Sequence, residues 1–173
     1  MFLDLARQSD VVIENLSPGS MKRLDLDYEA VAKVNPGIVY CSIAGYGQTG
    51  PNKDLPAHDH QIQAMSGIMD MNGATDGPPT RIGVFVGDLV TPLYAAYSIL
   101  GALRHKDRTG VGQYLGASMI DTLATLMFME PIEYVLRDGL PVRAGNESRG
   151  SAAELYRLSD GHVIITVSTT KRL

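Results

Sequence analysis

Apolar positions along this chain follow two rhythms. Two short runs, DVVIEN (Asp10–Asn15) and IVYCSIAG (Ile38–Gly45), have the near-continuous hydrophobicity of buried strands. Between them, SPGS breaks the chain, and DYEAVAKVNPG reads as a short helix stopped by Asn35-Pro36-Gly37. Strand, helix, strand with short connections predicts a βαβ unit and a parallel sheet. Residues 46–57 are rich in Gly, Pro and Asn and read as loop. A helix follows from Asp59 to about Met69, with Ile62, Ala64, Met65 and Ile68 at roughly helical spacing.

MNGATDGPPTRIG returns to loop composition, and a long apolar helix is expected from about Leu89 to His105. Its face of Leu93, Ala96, Tyr97, Leu100 and Leu103 predicts a core helix. Arg104–Gln113 holds the cations expected at that helix's C-terminus, then a turn into a strand-like QYLGASM. Asp121–Leu136 again has helical spacing, RDGLPVRAGNESRGS has linker composition, and ELYRLSDGHVIITV predicts a hairpin turning at Ser159-Asp160-Gly161. The chain is thus expected to be α/β. A parallel sheet with flanking helices is expected over residues 1–142, a linker over 143–150, and a β-containing element over 151–173. Both ends read as cut: Phe2, Leu5 and Ala6 take up helical spacing with no capping residue ahead, and the last strand is soon followed by Leu173. A fragment of a longer enzyme is expected.

Composition narrows the function classes. A net charge of −4 and a pI of about 5.5 disfavour a general nucleic-acid or anionic-membrane surface. The sole cysteine, Cys41, excludes an internal disulfide and fits a reducing, cytoplasmic setting. It stands in an apolar run, where a buried inert thiol is expected rather than a nucleophile. The start has no basic region of a signal peptide, and the uncharged stretch Leu89–Leu103 is short of the ~20 apolar residues a bilayer span requires. The eight methionines stand mostly at helical spacing and read as packing.

Four motifs carry candidate chemistry. GYGQTG (Gly45–Gly50) matches G-x-G-x-x-G after a strand, but Pro51 and Pro56 forbid the helix that a dinucleotide fingerprint opens, so a tight loop is expected instead. His58-x-His60 offers two metal ligands without further Cys, His or carboxylate at ligand spacing. A polar loop leading into a helix, capped by Asp59, is the plainer reading, and metal is set aside. Asp88 follows Gly87 directly before the long helix. It reads either as that helix's N-cap or as a carboxylate held at the mouth of an α/β sheet, where ligands bind. Arg23, after a strand and a Pro-Gly turn, is either a solvated cation or a phosphate contact.

Taken together, ENLSPGSMKRLDLDYEAVAKVNPGIVYCSIAGYGQTGP, AHDHQIQAMSG, DGPPTRIGVFVGD, LRHKDRTGVGQ and ASMID resemble the family III coenzyme A transferases, a family related to α-methylacyl-CoA racemase. The resemblance runs from about Phe2 to Val167, with the blocks in the right order. It implies part of a Rossmann-like large domain, the start of a small domain, and an interlocked homodimer in the full-length family. It implies acyl-CoA and a small carboxylic acid as substrates, with coenzyme A never permanently bound. It makes Asp88 the nucleophile, passing through an aspartyl mixed anhydride and an enzyme–CoA thioester. It puts coenzyme A against Asn15, Leu16, Ser17, Arg23, Pro56, Ala57, His58 and Asp59. Leu16 replaces the more usual aromatic, and the glycine-rich loop that shields the intermediates in family members lies beyond Leu173. His58 takes the position of the racemase histidine, so proton transfer by His58 and Asp88 is the alternative. A non-catalytic CoA-binding fragment is a third.

Overall fold

The computed structural model describes residues 1–127, 136–137, 143, 145–146 and 152–167. After a short helix α1 (Phe2–Ala6) come β1 (Val11–Glu14), α2 (Ser20–Arg23), α3 (Tyr28–Ala32) and β2 (Val39–Ala44). The run of apolar residues in β2 is explained by its place: it lies between β1 and β3 (Gln113–Ser118), parallel to both. Val39, Tyr40 and Cys41 are accordingly buried. The expected βαβ unit is present, with α3 started by the Asp27 side chain, which accepts the Ala30 N–H at 3.1 Å. Asn35 does more than stop α3. Its side-chain amide donates to the carbonyls of Ala6 and Ser9, both at 2.9 Å, and so ties α1 to this unit.

The crossover from β2 to β3 carries α4 (Asp59–Ser66), α5 (Ile68–Met71) and α6 (Val86–Thr109); α7 (Met119–Leu126) leaves directly from β3. Buried apolar residues gather in two groups among the described residues. One joins Ile62, Ile68, Val86, Met119, Leu123 and Met127 between α4, α6 and α7; the other joins Ala6, Val31, Ile38 and Tyr40. Tyr40 also packs its ring against Tyr28 and Tyr114, and donates its hydroxyl to the Leu26 carbonyl at 3.0 Å. Burial, then the charge of Glu14, pushes that hydroxyl's pKa well above its usual value.

Helix α6 departs from the sequence expectation in two ways. It starts at Val86, three residues ahead of Leu89, and runs for 24 residues. By length and mean hydropathy, 1.3, it could cross a membrane, but here it is the crossover helix packed against β2, β3, α4 and α7. Its buried face is also not the expected one. Thr91, Ala95 and Ala102 face the sheet, whereas Leu93, Tyr97 and Leu100 are 56%, 72% and 63% exposed. Small residues spaced by four and seven let the helix backbone approach the strands closely, and the large apolar residues are left outside. The helix ends as expected, with Lys106 and Arg108 in its last turn and Gly110 left-handed after it. Pro92 interrupts its hydrogen bonding: without an N–H it cannot bond the carbonyl of Asp88 one turn earlier.

The hairpin is present as antiparallel β4 (Ala152–Arg157) and β5 (His162–Val167), turned at 158–161. The expected helix from Asp121 to Leu136 is described only as α7 and at 136–137, and most of the linker 143–150 lies outside the described residues. Arg143, at the linker's start, donates to the Asp70 carboxylate at 2.7 Å.

Candidate active site

The carboxyl ends of β1 and β2 open into a cavity of about 640 Å³. Three segments build it. After β1 come Asn15, Leu16 and Ser17; leading into α4 come Pro56, Ala57 and His58, with Asp59 as its first residue; at the start of α6 comes Asp88. Loop, loop and helix start thus meet where an open α/β sheet binds ligands.

Each segment is held by an identifiable contact. Glu14, the last residue of β1, folds its carboxylate back to accept the Leu16 N–H at 2.8 Å and a short bond from the Ser42 hydroxyl. Ser42 in turn accepts from Gln48 in the glycine-rich loop at 2.8 Å. That loop opens no helix. Gly47 is left-handed, as the tight-loop reading requires, and Gly45 brings the end of β2 against Ala57: a Cβ there would lie 2.1 Å from the Ala57 methyl.

The capping assignments need correction. Asp59 is the first residue of α4, not its N-cap. That place belongs to His58, whose N–H donates to the Gln61 side chain at 3.0 Å. The Asp59 carboxylate, 3% exposed, reaches α6 and accepts the N–H of Gly87 at 2.6 Å and of Asp88 at 3.3 Å. Asp88 is likewise not the N-cap of α6. It lies in the first turn behind Phe85, which makes no side-chain capping bond. A buried carboxylate needs such partners, and the free N–H groups of a helix start supply them. The side chain of Asp88 stays exposed on the cavity.

Of the residues assigned by sequence, Asn15, Leu16, Ser17, Pro56, Ala57, His58, Asp59 and Asp88 come together around this cavity. Arg23 does not line it. It is exposed on α2, its guanidinium donating to Ser20 Oγ at 2.8 Å and to the Pro18 carbonyl at 3.5 Å, one turn from the Ser17–Pro18 wall. The rings of His58 and His60 stack with centroids 5.8 Å apart. No group of three His, Cys, Asp or Glu residues suited to a metal occurs among the described residues. Cys41 is buried in β2, and burial, then the Glu14 charge, pushes its thiol pKa up, as for an inert thiol.

Sequence reading missed two residues. Gln63, 1% exposed, binds Asp59, and its signal was present: the two polar residues stand four apart, the spacing at which Gln and Asp pair on a helix. Thr91, one turn after Asp88, lines the cavity with a buried hydroxyl that has no hydrogen-bond partner. It was absorbed into the apolar helix.

The chain is similar to several known proteins. The chain is 37% identical to the succinate–glutarate CoA-transferase of Agrobacterium fabrum over 94% of its own length and 41% of the relative's. It is 45% identical to the acetyl-CoA:oxalate CoA-transferase of Acetobacter aceti over 75% of this chain and 33% of that one. A crystal structure of a CAIB/BAIF family protein from Brucella suis superposes with a TM-score of 0.85 at 36% identity, covering 93% of this chain and 43% of that one. The chain therefore spans less than half the length of these relatives. The sequence model of CoA-transferase family III matches residues 1–173 in full, and the chain belongs to that family.

Proposed function

We propose that this chain acts in acyl-CoA:carboxylate CoA transfer, with Asp88 as the nucleophile. One observation carries the reading: Asp88 and His58 open on the same cavity as Asn15, Leu16, Ser17 and the 56–59 segment. An Asp88 oxygen attacks the thioester carbonyl, the C–S bond breaks, and CoA thiolate leaves a mixed anhydride. The thiolate then attacks the Asp88 carbonyl carbon, releasing the donor acid and leaving an enzyme–CoA thioester. The acceptor carboxylate displaces the thiolate from Asp88, and the thiolate attacks the acceptor's acyl carbon, giving the new acyl-CoA and free Asp88. Each step is an acyl exchange between thioester and anhydride, so one difficult transfer is split into easier ones. The acceptor is a small carboxylic acid, the class to which glutarate and oxalate in the relatives' names belong. Free, buried Cys41 fits a cytoplasmic setting.

The test is covalent trapping. Incubation with acyl-CoA and hydroxylamine is expected to place one hydroxamate on Asp88, located by mass spectrometry. CoA exchange without any label on Asp88 would sink the reading. His58 on the same cavity favours a second one, α-proton transfer between His58 and Asp88. Deuterium entering the α-carbon with no CoA exchange would select it, and CoA binding with neither reaction would select a non-catalytic fragment.

The outward face of α6 supports the reading of a homodimer. Leu89, Leu93, Tyr97 and Leu100 form an apolar stripe too extensive to be left in water. Leu93→Glu together with Tyr97→Lys is expected to shift the chain to monomer in sedimentation experiments while leaving its circular dichroism unchanged. An unaltered oligomeric state would remove this face from the interface.

A further inference from the structure

The backbone ahead of Asp88 is held by two buried side chains, those of Asp59 and Gln63. Gln63, one turn after Asp59 on α4, donates its amide to Asp59 Oδ2 at 2.6 Å and to the Val84 carbonyl at 3.2 Å. Its oxygen accepts the Ile82 N–H at 3.0 Å. Asp59 Oδ1 takes the Gly87 and Asp88 N–H groups. Ile82, Val84, Gly87 and Asp88 are thus all fastened through their backbones to one turn of α4, by side chains 3% and 1% exposed. The residue at 87 fits the same purpose. A Cβ there would stand 3.0 Å from Asp59 Oδ1 and 3.1 Å from Met119 Cε, so glycine permits the approach.

Resting on the reading of Asp88 as nucleophile, we infer that Asp59 and Gln63 are positioning residues: they fix the Asp88 backbone relative to His58. The argument is one of connectivity. His58 is the N-cap of α4 and Asp59 its first residue, so the two adjoin on one rigid start. The carboxylate of Asp59 then carries that rigidity across to the amide of Asp88 itself. Phe85 gives α6 no side-chain cap, and Pro92 withholds a bond from the Asp88 carbonyl. The first turn of α6 therefore takes its place from α4. A displacement of about 1 Å at a reacting group costs about 10²-fold in rate, so such a clamp matters to chemistry as well as to folding.

A swapped pair tests this. Asp59→Asn keeps an oxygen for Gly87 but turns an amide N–H against that of Gln63. Gln63 cannot turn over to meet it, because its oxygen is committed to Ile82. Gln63→Glu sets two carboxylates face to face. The double variant Asp59→Asn/Gln63→Glu restores a donor–acceptor pair and the net charge, and its cost is the bond to Val84, whose carbonyl then faces a carboxylate oxygen. Each single variant is expected to slow acylation of Asp88 in a single turnover at saturating acyl-CoA by about 10- to 100-fold. The double variant is expected to recover most of that rate. Amide exchange at Gly87 and Asp88, read by NMR, is expected to quicken in Asp59→Asn and slow again in the double variant. Wild-type acylation in Asp59→Asn, or recovery of melting temperature in the double variant without recovery of rate, would leave Asp59 a structural cap and overturn the inference. Unchanged exchange at Gly87 and Asp88 would overturn it as well. If the unaltered chain never labels Asp88, the nucleophile reading fails on its own, and amide exchange still decides whether the clamp exists.

Discussion

Asp88→Asn is expected to lower CoA transfer by at least about 10³-fold, with little change in acyl-CoA affinity or melting temperature. The side chain is exposed on the cavity, so nothing in the fold depends on its charge. An amide has the shape of the carboxylate but cannot attack a thioester and carry the anhydride. Asp88→Glu is informative because it retains the nucleophile and moves it by more than an ångström. A loss of about 10²-fold is expected from misplacement alone. Steady-state kinetics with each variant separates the two effects. Near-normal kcat in Asp88→Asn would move the chemistry to another residue.

Gly45→Ala is expected to cost about 3 kcal/mol, the upper end of what overpacking usually brings. For a chain of this size that lowers the melting temperature by roughly 6–12 °C. The new methyl would lie 2.1 Å from the Ala57 methyl and 3.3 Å from Ile62 Cδ1. The Ala57 methyl is attached directly to backbone, so no rotamer change relieves the contact. Either β2 or the 55–58 segment must shift, and both line the cavity. Ala57→Gly in the same chain removes the opposing methyl and is expected to recover most of the loss. Thermal melts of the single and double variants decide this, and a double variant no more stable than Gly45→Ala would refute the contact as the cause.

The parallel sheet was legible because β2 is apolar throughout and Asn35-Pro36-Gly37 punctuates the chain just ahead of it. The grouping of Asn15–Ser17, Pro56–Asp59 and Asp88 came from the family resemblance, whereas the place of Asp88 between glycine and a long helix left an N-cap and a carboxylate at the sheet's mouth both open. What escaped was tertiary. Hydrophobic spacing locates the apolar stripe of α6 but cannot say whether a sheet or something else covers it. Here Thr91, Ala95 and Ala102 face the strands because they are small, a criterion opposite to the one that picks Leu93 and Leu100. Capping failed for a similar reason. Asp59 and Asp88 both have the local look of N-caps, yet the N–H groups that Asp59 satisfies belong to a helix beginning 27 residues later. A local rule cannot see a cap supplied from elsewhere.

Pro92 gives the clamp at Asp59 a mechanical meaning. One rung of α6 is missing between the turn that bears Asp88 and the long segment that bears the exposed stripe. Bending of a helix concentrates at such a proline. Whatever covers Leu93, Tyr97 and Leu100 can tilt the outer length of α6, and that tilt is taken up at the joint. The turn of Asp88 stays with α4. The carboxylate proposed as nucleophile is thereby insulated from the exposed stripe of α6, and that stripe is free to diverge without disturbing it.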